Sequence, residues 1–311
     1  LGLSPKDYRK MLSTSRKRLN LVETAMSLNK WSEIKFENVP SRASFIYRKA
    51  FGKHETTRYV EYITKVEKGE AKINASVTYP YEIVDKYLNK GSSKDNTLDV
   101  IWKSLPNYMA EGVKGLVVAD VSGSMVGLPM AVSVSLALYM AERNTDPNFK
   151  DYFITFSEKP NLVKIKGDSL YQKIRNISQA DWGMSTNIQG VFDLILRTAV
   201  SNNVKKEDMP NVLYIVSDME FNKATSRNSK TNFETIKDKY IASGYEMPTL
   251  VFWNVNARNS HSPVTFDERG VALVSGCSPS IFSSVLSGKS VTPYDIMMDT
   301  IGRDRYSRVI V

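Results

Sequence analysis

Apolar positions fall into two regimes along the chain. Up to residue 112 they recur at helical spacing. Ser4-Pro5 reads as an N-cap followed by a first-turn proline, and Tyr8, Met11, Leu12, Leu19, Val22, Met26 and Leu28 carry the first predicted helix to about Asn29. A second starts at Pro40-Ser41 and runs through Phe45, Ile46, Ala50 and Phe51, with Gly52 as its stop. Residues 55–67 make a third, closed by Lys68-Gly69. Tyr79-Pro80 leads into a fourth, to about Asn89, and residues 97–110 form the last. After Val113, strand-length apolar runs alternate with helical segments. GLVVADV, FKDYFITFS, NVLYIVSD, PTLVFWNV and VALVSG are the strands. LPMAVSVSLALYMAER, SLYQKIRNI, TNIQGVFDLILRTAVS, NFETIKDKYIAS and SPSIFSSVLS are the helices. VLYIV and LVFWN are apolar throughout, which marks strands buried on both faces of a mostly parallel sheet.

This alternation predicts an α/β fold, a doubly wound, mostly parallel, Rossmann-like sheet preceded by an all-helical segment. LVKIK follows FITFSEKPN closely enough to form an antiparallel edge hairpin. The expected domains are 1–112, the end of a longer helical region; 113–290, the α/β domain; and 291–311, a C-terminal helix and tail packing back on the body.

Composition sharpens this organisation. Residues 1–112 hold 20 Lys and Arg against 13 Asp and Glu, whereas residues 113–311 hold 22 against 20. The basic excess therefore sits in the helical segment and makes single-stranded or structured RNA a candidate partner. Arg16, Lys17, Arg18, Arg42, Arg48, Lys49, Lys53 and Arg58 are the candidate phosphate contacts, with Arg303, Arg305 and Arg308 adding charge near the end. Tyr8, Trp31, Phe36, Tyr47, Tyr59, Tyr62, Tyr79, Tyr81 and Tyr87 are interleaved with these cations. Most occupy apolar helical positions, so core packing is their expected role. The single cysteine, Cys277, allows no internal disulfide. No run is long and apolar enough for a membrane helix, and the first residues lack a signal peptide's apolar core. A cytoplasmic protein with no membrane partner is expected.

The chemistry gathers at LVVADVSGSM. Asp120 ends a buried strand, and Ser122 and Ser124 follow at alternate positions. Sites in open α/β sheets form at the carboxyl ends of strands. Thr186, in the loop before a helix, and Asp218, ending VLYIVSD, should reach the same rim. Hydroxyls and carboxylates are hard oxygen donors suited to an octahedral Mg²⁺ or Mn²⁺. Gly123 is expected to bend the backbone between the serines.

Asp120-x-Ser122-x-Ser124 with Thr186 and Asp218 resembles the metal-ion-dependent adhesion site of von Willebrand factor A domains, over about residues 113–290. The resemblance implies that Ser122, Ser124 and Thr186 bind the ion directly and that Asp120 and Asp218 act through water. It also implies that an acidic group of a protein ligand takes the open position. Many A domains carry Asp-Gly at the third motif. Here Asp218-Met219-Glu220 stands instead, and Glu220 is a candidate competitor for the ion. Helices followed by one A domain resemble the Ro (TROVE) architecture, which binds non-coding RNA. VPSRASFIYRKAF, KGEAKINASVTYPYEIV and IVSDMEF are similar to the family called domain of unknown function 2828, over nearly the whole chain.

Catalysis finds little support. A haloacid-dehalogenase-type phosphatase needs a carboxylate where Ser122 stands. A serine hydrolase needs a base, and the only histidines, His54 and His261, read as a surface turn residue and a solvated loop residue. Cys277 reads as a small packed side chain. The expectation is a non-catalytic, metal-dependent binding module; the alternative is a protein–protein adaptor or assembly factor that recognises an acidic group through the metal site.

Overall fold

Among the described residues six strands, numbered along the chain, order as β3-β2-β1-β4-β5-β6. The computed structural model describes all residues except 1, 20, 90, 92, 179–186, 219–228, 257–270, 278, 287–293, 295–296, 299–300, 303 and 308–311. β1 (Gly115–Ala119), β2 (Tyr152–Thr155), β4 (Val212–Ser217), β5 (Thr249–Asn254) and β6 (Val271–Ser275) run parallel to one another. β3 (Asn161–Lys164) runs antiparallel to β2, pairing Phe153 with Val163 and Ile154 with Leu162. The fold is α/β, and the edge hairpin expected from LVKIK is present.

Helices cover both faces of the sheet, which is why the central strands β1, β4 and β5 are apolar along most of their length. Leu116 and Val118 of β1, Leu213 and Ile215 of β4, and Leu250 and Phe252 of β5 pack with α9 (Ile188–Ser201) and α10 (Ser229–Ala242). The alternate residues face the other layer. There α7 (Leu128–Arg143) lies against β1, β2 and β4, and Trp253 of β5 meets Phe282 of α11 (Pro279–Leu286) at 5.1 Å between ring centroids. Gly115 sits under this second layer. A Cβ there would come within 2.8 Å of the Tyr214 ring and 3.3 Å of Met140 Cε. Tyr214 is buried and has little room to move aside. Gly115→Ala is therefore expected to destabilise the sheet by about 1–3 kcal/mol, read as a lower midpoint in thermal or urea unfolding.

The chain divides into two units, Leu1–Thr78 with Asp95–Pro106, and Tyr79–Lys94 with Asn107–Val311. The predicted fourth helix, α5 (Pro80–Leu88), belongs to the sheet unit, where it packs on α7 and α8 (Leu170–Ser178). Its apolar face (Ile83, Val84, Tyr87) declares a helix but not which layer receives it.

The helical unit contains α1 (Pro5–Arg18), α2 (Val22–Ser27), α3 (Ser41–His54), α4 (Thr56–Glu67) and α6 (Asn96–Lys103). Its core is aromatic: Phe36 lies 5.3 Å from Phe51, 5.0 Å from Tyr59 and 5.4 Å from Tyr62. Burial pushes the Tyr59 hydroxyl up to about 12. Three boundaries differ from expectation. The first predicted helix is two, α1 and α2, because the apolar period continues across a break that period alone does not register; Asn29, at φ 54°, follows them. Gly52 lies inside α3 rather than ending it. α6 stops at Lys103, since Pro106 disfavours helix in the residue before it. Gly69, at φ 77°, follows α4 as expected. Of the C-terminal segment 291–311, Tyr294, Met297, Met298 and Ile301 are helical, Gly302 N–H donates to the Met298 carbonyl, and Asp304–Tyr306 form a 3-10 turn.

Candidate functional site

Strand order places the site. The chain leaves β1 toward β2 on one side and, from β4, continues toward β5 on the other, so the topology switches between β1 and β4. A crevice opens beyond the carboxyl ends of strands at such a point. Asp120 follows β1 and Asp218 follows β4, on the two sides of the switch. Both carboxylates are buried, at 1% and 4% exposure.

Asp120 is held on both oxygens. Its Oδ1 accepts from the Ser122 backbone N–H at 2.9 Å, and its Oδ2 accepts from the Ser217 hydroxyl at 2.6 Å. Burial pushes its pKa up. The hydrogen bonds from Ser217 and Ser122 oppose this, and the charge of Asp218 adds to it. Ser122 and Ser124 are half-buried and share a hydrogen bond between their hydroxyls, Oγ to Oγ at 3.0 Å. Neighbouring ligands on an octahedral ion at 2.0–2.1 Å lie about 2.9 Å apart, so the hydroxyl pair has the spacing of one edge of a Mg²⁺ or Mn²⁺ coordination shell. Two buried carboxylates beside it supply the negative charge that a cation would balance.

The residues therefore fit a small divalent ion, with the serines as direct donors and Asp120 already committed to protein hydrogen bonds. Among the described residues no group of three or more His, Cys, Asp or Glu is arranged to hold a metal. The candidate site rests on hydroxyls instead. Thr186, Met219, Glu220 and His261 lie outside the described residues, as do Arg303 and Arg308.

Gly123 does not make the bend. It opens a 3-10 turn (Gly123–Met125), and a Cβ on it would meet open space; the left-handed residue is Gly127, at φ 93°. Ser217 is the participant the sequence reading passed over. Its signal was available, a hydroxyl residue directly before the strand-terminal Asp218. A cleft of about 680 Å³ opens between the β2–β3 turn and α9, lined by Lys159, Asn187, Asp193, Arg197 and Lys239 among others, and none of the site's described residues lines it. Cys277 is half-buried, and burial raises its thiol pKa, away from nucleophilic reactivity.

In the helical unit the candidate phosphate contacts separate into two kinds. Arg16, Lys17 and Arg18 form the exposed last turn of α1, and Arg42, Lys49 and Lys53 are exposed on α3. Arg48 and Arg58 are committed to the fold. Arg48 is 6% exposed, pairs with Asp95 at 2.9 Å and donates to the Phe45 carbonyl. Arg58 donates to the carbonyls of Trp31, Ser32 and Ile34, pairs with Glu55 at 3.2 Å and lies over the Phe36 ring. The aromatics divide likewise: Phe36, Tyr59, Tyr62 and Tyr87 are buried, Tyr8 is exposed, and Trp31, Tyr47, Tyr79 and Tyr81 are half-buried. His54 ends α3 rather than occupying a turn, and stacks on Trp31.

Residues 114–304 match the family model "Domain of unknown function (DUF7788)". Residues 5–112 match "Domain of unknown function (DUF2828)", so the resemblance expected over nearly the whole chain belongs to its helical part. An uncharacterized protein of Acanthamoeba polyphaga mimivirus is 31% identical over 318 residues, covering 97% of this chain. The chain spans 55% of that relative's length. The crystal structure of the Deinococcus radiodurans RO (RSR) protein is similar at a TM-score of 0.44 and 15% identity, covering 86% of this chain and 60% of that one.

Proposed function

We propose that this chain, which belongs to the DUF7788 family, is a non-catalytic binding module whose sheet unit works as a von Willebrand factor A domain. Ser122, Ser124 and Thr186 would hold Mg²⁺ or Mn²⁺, with Asp120 and Asp218 acting through water. The observation that carries this reading is the 3.0 Å separation of the Ser122 and Ser124 hydroxyls beside two buried carboxylates at the topological switch. A hard cation held chiefly by neutral hydroxyls keeps affinity for an anionic oxygen, so the ligand is an acidic side chain of a protein partner.

Titration of the protein with Mn²⁺, followed by calorimetry, tests the site. Ser122→Ala and Ser124→Ala are each expected to weaken Mn²⁺ binding roughly tenfold or more. Unchanged binding in both would remove the serines from the ion's shell.

A second reading has its own observation. Residues 1–54 hold twelve Lys and Arg against four Asp and Glu, and most of these cations are exposed. This favours RNA, single-stranded or structured, as a partner of the helical unit. Binding of this kind weakens steeply with salt through counterion release, whereas a metal-bridged protein contact disappears with chelator. Fluorescence anisotropy of labelled RNA at low and moderate salt, with Mg²⁺ and with EDTA, separates the two.

A further inference from the structure

Resting on the RNA reading, we infer that the exposed face of α3 and the Trp31–His54 stack at its end form a track for single-stranded nucleic acid. Phosphates lie along Arg42, Lys49 and Lys53, and an unpaired base stacks on the imidazole face turned away from the indole.

Three observations meet at this surface. First, Arg42, Ile46, Lys49 and Lys53 are all exposed and stand four, three and four residues apart, which aligns them on one helix face. The stripe spans roughly 16 Å of helix rise, the reach of a few nucleotides. Second, α3 itself ends at His54, about 100° round the helix from Lys53, and the His54 ring lies parallel to that of Trp31 with centroids 4.0 Å apart. The core rings of the same unit meet at 33° to 69°. A parallel pair at the surface, with His54 outermost and exposed, presents a flat π-face rather than an interlocked edge.

Third, the platform is held in place before any ligand arrives. Trp31 Nε1–H donates to Asn29 Oδ1 at 2.9 Å, and Arg58 fixes the carbonyls of Trp31 at 3.1 Å and Ile34 at 2.8 Å. Arg58 is thus a positioning residue for the platform rather than a phosphate contact. Stacking on an aromatic face combined with a positively charged line is the chemistry that retains unpaired bases and a phosphate backbone together. A duplex, whose bases are already stacked, cannot use the imidazole face.

The test is anisotropy of a short labelled adenylate RNA, its DNA counterpart and a blunt RNA hairpin, with circular dichroism as the check on folding. His54→Ala is expected to weaken single-strand binding about tenfold with an unchanged salt slope, and His54→Tyr to restore it by replacing one ring with another. Lys49→Glu with Lys53→Glu should weaken binding and flatten the salt slope by about two contacts. The same charge reversal at Lys65 and Lys68, on and just after α4, should do less. Equal binding of RNA and DNA single strands supports the track, since its chemistry is common to both. Parent protein that binds the single strands while the His54 and Lys49/Lys53 variants bind them equally well would place the nucleic acid elsewhere. Equal retention of the hairpin would remove stacking from the account. A parent that binds none of the probes at low salt overturns the RNA reading itself, and the track with it.

Discussion

Asp120→Asn is expected to abolish divalent-cation binding, by about a hundredfold or more, while the metal-free protein stays at least as stable as the parent. The carboxamide can reproduce both native hydrogen bonds. Its Oδ1 accepts from the Ser122 N–H, and its Nδ2 donates to Ser217 Oγ, which turns from donor to acceptor. What is lost is a charge that burial and Asp218 both oppose. A carboxyl whose pKa is raised on folding binds its proton more tightly in the native state. Its contribution to stability therefore falls as pH rises from the ordinary carboxylate value through the raised one, and at neutral pH the ionised Asp120 is a net cost. A bound ion is expected to offset that cost in the parent. At about 100 times its dissociation constant, Mn²⁺ adds about 2.7 kcal/mol to the parent and nothing to the Asn variant. Because protons compete with the ion for the carboxylates, the parent's gain should fade as pH falls through the same window. Unfolding temperatures with Mn²⁺ and with EDTA, across acid and neutral pH, measure all of this. An equal Mn²⁺-dependent rise in parent and variant would mean that the ion is held somewhere else.

The sheet was legible because its signal is redundant. Strands buried on both faces leave continuous apolar runs, and VLYIV or LVFWN is apolar whichever register it takes. Asp120 and Asp218 were legible for the same reason: a carboxylate directly after such a run has to sit at the rim. The helical unit gave up less. Helical period marks a face but not the partner, so α5 could not be assigned to its layer and the break between α1 and α2 was invisible. The division of the cations was half legible. Ser41, Ser44, Phe45, Arg48 and Phe51 are the buried positions on α3 apart from Ala43, and their spacing of three and four puts Arg48 on the inner face. A basic residue at an inner-face position signals a buried ion pair, and composition read without period hid it among its neighbours. Arg58 gave a weaker sign: Glu55 stands three residues before it, but its other polar partners are the backbone carbonyls of Trp31, Ser32 and Ile34, which sequence does not distinguish.

Arg48→Ala is therefore expected to act on stability before it acts on any ligand, costing the helical unit about 3–5 kcal/mol. The guanidinium is nearly enclosed: Nε–H donates to Asp95 Oδ2 at 2.9 Å, Nη1 to the Phe45 carbonyl at 2.7 Å, and its carbon lies 5.1 Å from the Phe45 ring centroid. Asp95 has a second task. Its Oδ1 accepts from Thr97 N–H at 3.0 Å as the N-cap of α6, so one carboxylate ties α3 to the start of α6. Asp95→Asn separates the tasks, since asparagine caps as well as aspartate but leaves the arginine without its counter-charge. A loss of about 2 kcal/mol or more is expected from that change alone. Asp95→Ala should cost about 1 kcal/mol more, the worth of the cap. The double variant Arg48→Met with Asp95→Asn, which replaces the ion pair by an apolar stem and a neutral cap, should recover much of the loss, because neither charge is then stranded in the interior. Urea unfolding of the parent and these four variants gives the ordering. Near-equal midpoints for parent and Arg48→Ala would return Arg48 to the surface and to the phosphate contacts. In the expected case, nucleic-acid affinity measured well below the melting temperature stays at the parent's value in Asp95→Asn, while Lys49, one residue away and facing outward, changes affinity with little effect on stability.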